Sequence, residues 1–371
     1  MINKDQPHDQ PINTLSFGAR AATVAAMVNG LRVGVAGAGS IGCYVGGALA
    51  IGGADVVFLG RQRLVGEAAR GGFRITAMGA RQGALAPGTP KVVTSPDGLT
   101  DRDLVLVCVK SGQTAEMAAA LAPVLRPEAV VVSLQNGVRN PETLRDALPG
   151  HRVVPGIVEF NVVSRGEGHY DRTTDGPIVL ESPRTDAERW LADALRESAL
   201  TLRHEDDLRP AQWSKLLVNL NNAISALSGA PTRELLLTRG YRRCIADVIA
   251  EAIAVLKAAG IRPARLRGAP VGLMPHVLRL PTPLARLVLG AQIKVGDDSR
   301  SSMWEDLTRR RATEVDYLNG EIVRLAEAQG RDAPLNRRLV ALVHEAEAAA
   351  AGPPGLDHRA LRAALLGGPS G

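Results

Sequence analysis

The stretch Leu31-Arg32-Val33-Gly34-Val35-Ala36-Gly37-Ala38-Gly39-Ser40-Ile41-Gly42 decides the fold. An apolar Val/Ala run enters G-x-G-x-x-G and then a helix-like segment. A dinucleotide pyrophosphate needs that order. Gly37 allows the tight turn, Gly39 lets the backbone approach the phosphates, and Gly42 lets helix and strand pack closely, so the helix N-terminus faces the anion. Gly37, Ala38, Gly39, Ser40, Ile41 and Gly42 are therefore candidate cofactor-binding residues. The loop alone says only that a dinucleotide binds.

Outward from this loop the patterns alternate. Strands are expected at Arg32–Ala36, Asp55–Leu59, Leu104–Val109, Ala129–Leu134, Arg152–Val163 and Gly176–Glu181, with helices at Ile41–Gly52 and Thr114–Leu125. Continuous Val/Leu runs between helices indicate a parallel sheet covered on both faces. After about Asp206 the strands stop. Gln212–Leu227, Tyr241–Ala259, Leu284–Ile293, Ser302–Gln329 and Asn336–Ala350 read as helices, with Gly229, Gly260 and Gly330 where C-caps belong. The expected organisation is a tail at 1–30 with a short helix at Ala19–Val28, an α/β dinucleotide-binding domain at 31–206, an all-helical domain at 207–352, and a C-terminal tail at 353–371.

Composition agrees with two domains: 371 residues exceed one ordinary core. Aromatics are 3%, which argues against a base-stacking surface, and the net charge of +6 comes without a dense basic run, so no nucleic-acid partner is expected. A modest positive field suits an anionic cofactor and an anionic substrate. Three cysteines, Cys43, Cys108 and Cys244, are spaced neither for disulfides nor for zinc, and no metal site is expected. No run reaches transmembrane length and residues 1–16 lack a signal-peptide pattern, so the expected setting is the cytoplasm, away from membranes.

The second strand leads to Arg61, about 20 residues beyond the loop, where an NAD enzyme places an acid on the ribose 2′-hydroxyl. Arginine forks pair with a 2′-phosphate, so the expected cofactor is NADP(H). A solvent arginine at a strand end is the plain alternative. Lys110 and Gln113, after the strand expected at Leu104–Val109, overlie the ligand crevice and suit cofactor ribose or substrate, although a strand-end lysine also snorkels. Asn136 in Gln135-Asn136-Gly137 is either turn chemistry or an amide for nicotinamide ribose or substrate.

In the helical half, Lys215, Asn219 and Asn222 share one face of an apolar helix, at i, i+4 and i+7, with Asn221 about 120° away from Lys215. A lysine flanked by leucines is costly to bury. It suits a general acid for carbonyl reduction, or an oxyanion partner, its pKa lowered by burial. The alternative is a snorkelling surface lysine. Ser302-x-x-Glu305 reads as a capping box, and equally as a place for a substrate carboxylate. Glu314 pairs with Arg310 one turn back, or accepts a hydrogen bond from a substrate hydroxyl.

Together these segments resemble the ketopantoate reductase (2-dehydropantoate 2-reductase) family. The resemblance runs from about Leu31 to Glu347 and rests on the glycine loop, Val109-Lys110-x-x-Gln113, Gln135-Asn136-Gly137, Trp213-x-Lys215-Leu216-x-Val218-Asn219, and Ser301-Ser302-Met303 followed by Thr313-Glu314-x-Asp316-Tyr317-x-Asn319-Gly320. It implies a Rossmann domain, a helical domain like the C-terminal domain of 6-phosphogluconate dehydrogenase, and an active site between them. It implies NADPH-dependent reduction of 2-dehydropantoate to pantoate, in pantothenate and coenzyme A biosynthesis. Lys215 matches the family's general acid, Glu314 the carboxylate on the substrate hydroxyl, Ser302 the carboxylate holder, Asn219 a substrate amide, Asn136 and Lys110 cleft residues, and Arg61 the 2′-phosphate arginine. Two positions depart. Ala223 stands where relatives carry a second asparagine, with Asn222 one residue earlier as a substitute, and Ser299 stands where relatives carry asparagine. Both fall on the substrate side, which keeps open a reductase of a different small 2-oxo acid. A silent NADP(H)-binding protein is the reading from another class. A homodimer is compatible with the sequence.

Overall fold

The computed structural model describes residues 30–198, 200–265, 269–290 and 300–367. The tail and short helix expected before Gly30 lie outside the described residues, as do Ser299 and the end of the helix expected at Leu284–Ile293.

The first unit is a sheet wrapped by helices. Its strands are β1 (Arg32–Ala36), β2 (Asp55–Leu59), β5 (Lys91–Val93), β6 (Leu104–Val107), β7 (Val130–Ser133), β8 (Arg152–Val158), β11 (Ile178–Glu181) and β12 (Leu202–Glu205), in spatial order β12-β11-β8-β7-β6-β1-β2-β5. Only the β8–β11 pair is antiparallel. Alternate residues explain the unbroken Val/Leu runs. Val33, Val35, Leu104 and Leu106 join one core with Cys43 and Val45 of α1 (Ser40–Ile51), while Ala36, Val105 and Val107 join another with Ala118 and Leu121 of α3 (Thr114–Leu121). Both faces are covered, as parallel strands require. The strand order reverses at β1, between β2 and β6, and ligands of such sheets bind in the crevice outside the strand carboxyl ends there.

A second, four-stranded sheet was not expected. β3 (Phe73–Ala77), β4 (Ala80–Leu85), β9 (Val162–Gly166) and β10 (His169–Arg172) run in the order β4-β3-β10-β9. Phe73 packs edge-on against Phe58 of β2 at 5.1 Å, which fixes this sheet to the main core, and against Tyr170 of its own sheet at 5.5 Å. The single strand expected at Arg152–Val163 is therefore two strands. β8 ends at Val158, the chain turns at Glu159-Phe160-Asn161, and β9 joins the smaller sheet. The backbone partners of the turn, Glu159 N–H to Pro177 O at 3.0 Å and Thr173 N–H to Asn161 O at 2.9 Å, come from distant residues that local patterning does not reveal.

The second unit is helical: α6 (Arg209–Asn219), α7 (Asn221–Ser228), α8 (Thr232–Leu237), α9 (Arg239–Ala258), α10 (Met274–Arg279), α11 (Thr282–Val288), α12 (Ser302–Thr308), α13 (Asn319–Glu327), α14 (Pro334–Ala349) and α15 (His358–Leu365). Leu216, Leu217, Ile249, Ile322, Leu339 and Leu361 share its core. Two expectations need correction. The helix expected over Ser302–Gln329 breaks after Thr308. Arg310 takes a left-handed φ of 53°, Arg311 pairs with Asp306 at 3.0 Å, and Glu347 accepts the Thr313 N–H at 2.6 Å. The tail expected at 353–371 contains α15, capped by Asp357 through Arg359 N–H and Ala360 N–H, with Leu361 and Leu365 buried. No described helix is long and apolar enough to cross a membrane.

Candidate active site

One cleft of about 2850 Å³ runs between the two units, well above the ~300–1,000 Å³ of a single small-molecule pocket. Gly37, Ala38, Gly39, Ser40, Ile41, Arg61, Lys110, Gln113, Asn136, Lys215, Asn219, Asn222, Ser302 and Glu314 all line it. Of the expected site residues only Gly42 does not.

The glycine loop divides the labour as the sequence suggests. Gly37 has φ 96°, and a Cβ there would meet Val109 N at 2.6 Å. A Cβ on Gly42 would meet Gly37 O at 2.6 Å and Val35 at 2.8 Å, so Gly42 serves by close packing beneath the loop. A Cβ on Gly39 would meet nothing within 4 Å; it would project into the open crevice that a pyrophosphate needs. Gly39 is also the N-cap of α1 and lends no side-chain cap, so the first N–H groups of α1 remain available to an anion. This cradle fits a dinucleotide. Cys43 lies buried beneath it and Cys108 is half-buried at the edge of the cleft; desolvation pushes both thiols up to about 12.

Arg61 follows β2 after Gly60, is exposed, and borders the cleft. Its neighbour Arg63 is engaged by Glu67 at 2.7 Å. Asp55, the nearest acid in β2, is held at the strand's other end by Lys91 at 2.5 Å and Arg102 at 2.8 Å. Thus no carboxylate of β2 faces the adenosine end of the crevice.

Across the cleft, Lys215 of α6 is half-buried and donates to Val158 O at the end of β8. Desolvation lowers its pKa to about 8, while the Glu159 and Glu314 carboxylates pull it upward. Asn219 stands one turn on. It donates to Asn136 Oδ1 at 3.5 Å, and Asn136 Nδ2 reaches Glu314 Oε2 at 3.5 Å. Glu314 is not paired along a helix with Arg310, because the chain is non-helical there. Its Oε1 accepts Ser111 N–H at 3.0 Å and Ser111 O–H at 2.9 Å. Lys110 reaches over to Asp306 at 2.5 Å and Ala312 O at 3.0 Å. Burial pushes the Asp306 carboxyl upward against the pull of Lys110 and Arg311. The two units are therefore joined through groups that line the cleft and, in Ser111, through one buried beside it.

The capping residue of α12 is Ser301, not Ser302. Ser301 Oγ accepts the Trp304 N–H at 3.1 Å and donates to Asn222 O at 3.2 Å. That leaves the Ser302 hydroxyl exposed at the cleft.

Family models of ketopantoate reductase PanE/ApbA match residues 33–184 and, for the C-terminal part, 207–347. The chain belongs to the ketopantoate reductase family. It is thus an oxidoreductase acting on CH–OH groups, of a dinucleotide-binding family. A 2-dehydropantoate 2-reductase of Archaeoglobus fulgidus is 29% identical over 327 residues, covering 85% of this chain and 98% of its own. The crystal structure of a PanE/ApbA family ketopantoate reductase from Ralstonia eutropha JMP134 superposes with a TM-score of 0.73 at 31% identity, covering 86% of this chain and 99% of that one. That of 2-dehydropantoate 2-reductase from Geobacter metallireducens GS-15 gives 0.71 at 25% identity, over 85% and 100%.

In this ketopantoate reductase family member, Ala223 is fully buried in the helical core, whereas Asn222 lines the cleft. Asn221, expected about 120° from Lys215, lines it as well, because the helix is interrupted at Leu220 and the cleft is wide. Three polar residues escaped sequence reasoning: Ser111, Glu159 and Asp306. Ser111 and Glu159 follow the carboxyl ends of β6 and β8, a position that by itself marks a crevice residue. Asp306 carries no such mark, since its partner Lys110 is remote in sequence.

Proposed function

We propose that the protein reduces a small 2-oxo acid to the 2-hydroxy acid with NADPH, and that 2-dehydropantoate is such an acid, giving pantoate for coenzyme A biosynthesis. The observation that carries this reading is Lys215: a lysine with a pKa near 8, set among amides in the cleft that also contains the dinucleotide cradle. Gly37–Gly42 would hold the pyrophosphate and Arg61 the 2′-phosphate. When bound, the reduced nicotinamide supplies hydride to the carbonyl carbon. Lys215 Nζ gives its proton to the carbonyl oxygen as charge develops there, a role of general acid and electrostatic stabiliser together. Ser302 binds the substrate carboxylate and Asn219 and Asn222 orient the acid. Glu314, already oriented by Ser111, accepts a hydrogen bond from a substrate hydroxyl. Asn136 sits between Glu314 and Asn219, and Lys110 and Gln113 flank the cofactor side.

Initial rates with NADPH and with NADH on 2-dehydropantoate test this reading. NADPH oxidation that depends on the acid is expected, with kcat/KM favouring NADPH over NADH. A protein that binds NADPH but oxidises it with no oxo acid would instead be a binding module. Within the same chemistry, a different 2-oxo acid is favoured by one observation: Ala223, where the family resemblance calls for an amide, is buried in the helical core and offers none.

A further inference from the structure

Lys215 reaches across the cleft to the end of β8, where the residue after its acceptor has no role in the chemistry proposed so far. Lys215 Nζ donates to Val158 O, and Glu159 comes next in the chain. The sheet directs the Glu159 side chain. Arg203 of β12 stands beside Val179 of β11, and Val179 beside Ile157 of β8. Glu159, two residues on from Ile157, shares that face. Ile157 and Val179 pack there with Leu208 and with Ala211 of α6. Lys215 is one turn beyond Ala211 on the same side of the helix. The Glu159 carboxylate and the Lys215 amine therefore belong to one layer between the sheet and α6, and both residues line the cleft.

Glu159 is fixed in that layer. Its N–H donates to Pro177 O at 3.0 Å, and a Cβ on Gly176 would meet Glu159 O at 2.6 Å, so the close approach needs glycine. Its Oε1 accepts Arg203 at 3.1 Å, and Arg203 also pairs with Glu205 at 3.2 Å. Arg265 and Asp175, the latter paired with Arg172 at 3.6 Å, line the same cleft. The other carboxylate that acts on Lys215 is Glu314, which is oriented by Ser111 and assigned above to a substrate hydroxyl. Glu159 has neither task.

We infer that Glu159 is a positioning residue for the reduction: its carboxylate, tempered by Arg203, holds the proton on Lys215 Nζ until the carbonyl oxygen takes it. This rests on the reductase reading above. A general acid must keep its proton at working pH and still release it. A bare carboxylate would lock the ammonium in an ion pair, and no carboxylate would leave a desolvated amine neutral. Arg203 sets the pull between those limits. No bond forms or breaks at Glu159. The proton passes from Lys215 Nζ to the oxygen, and Lys215 recovers one from water.

The test follows the alkaline limb of kcat in the full chain with NADPH and saturating 2-dehydropantoate. A nearby opposite charge moves a titration by ~1–3 pH units, and a carboxylate shared with Arg203 acts at the low end. Glu159→Gln should bring the limb about 1 pH unit toward acid, and Glu159→Asp should restore most of the shift. Arg203→Met uncovers the carboxylate and should move the limb toward alkali. A merely structural Glu159 would change Tm or KM and leave the limb in place. The amine is also read without turnover. Trace acetylation with acetic anhydride across pH, followed on the Lys215 peptide by mass spectrometry, gives its titration midpoint, which should shift in the same directions. A limb and a midpoint unmoved in Glu159→Gln, or moved the same way by Glu159→Gln and Arg203→Met, overturn the inference. If Glu159→Gln does not fold, Arg203→Met decides it: an alkaline shift supports the inference and an unmoved midpoint overturns it. If no oxo acid oxidises NADPH at any pH, the reductase reading fails, and the acetylation midpoints still decide whether Glu159 holds the Lys215 proton.

Discussion

At Lys215 two effects compete. Desolvation favours the neutral amine, while Glu159 and Glu314 favour the ammonium, and desolvation wins, leaving a pKa of about 8 against the ordinary 10.5. A general acid must carry its proton, so kcat for reduction should be flat below that value and fall about tenfold per pH unit above it. A kcat that stays flat to pH 10 would mean a solvated lysine. The same shift makes the native state bind fewer protons than the unfolded chain between about 8 and 10.5, so this residue's contribution to stability rises with pH there. Arg61 acts at the other end of the cleft. Hydrogen bonds to a charged group are worth about 1.5–3 kcal/mol, so Arg61→Ala should raise KM for NADPH by roughly 10–100-fold. KM for NADH should barely move; equal effects on both cofactors would separate Arg61 from the 2′-phosphate.

At the scale of the element, the glycine loop was legible because its three glycines each meet a short-range steric demand. The end of α6 was legible because Lys215 and Asn219 follow the helical period. α12 was less so. A serine pair offers two caps, and only the extended backbone of Ser301, with φ −73° and ψ 156°, places its Oγ on the Trp304 N–H. The capping box expected at Ser302 was one residue off, and the shift is what frees the Ser302 hydroxyl. Ser301→Ala should cost about 1 kcal/mol of stability, read as a lower Tm. By loosening α12 and its tie to Asn222 it should also raise KM for the oxo acid while NADPH affinity holds. A fall in Tm with KM unchanged would detach the cap from the site. The break after Thr308 is hidden for a different reason. Arg309, Arg310 and Arg311 are good helix formers, and what turns the chain is Asp306 holding Arg311 and Glu347 holding the Thr313 N–H.

At the scale of the molecule, two cores meet across one cleft through Lys110–Asp306, Ser111–Glu314 and Asn136–Asn219. The alternation of strands and helices gave way to helices alone near the point where β12 ends at Glu205 and α6 begins at Arg209. The small sheet was not legible, because β4 is largely exposed and polar and β9 pairs only with β10. α15 was obscured by the turn-rich Gly352-Pro353-Pro354-Gly355, although Asp357 ahead of Leu361 and Leu365 is a cap before an i, i+4 apolar pair. Leu361 is fully buried against the helical core, so Leu361→Ala should cost about 2–5 kcal/mol, seen as a lowered unfolding midpoint in denaturant. A midpoint unchanged by that substitution would mean that α15 is not docked in solution.

The account stands most directly on Lys215 as the proton donor in an interdomain reductase site. The decisive measurement is the rate of acid-dependent NADPH oxidation by Lys215→Ala beside the unaltered protein, with the NADPH dissociation constant measured on both. Loss of a general acid and oxyanion partner should lower kcat by at least ~10²–10⁴-fold, with NADPH affinity nearly unchanged. A Lys215→Ala protein that keeps near-normal kcat would contradict it.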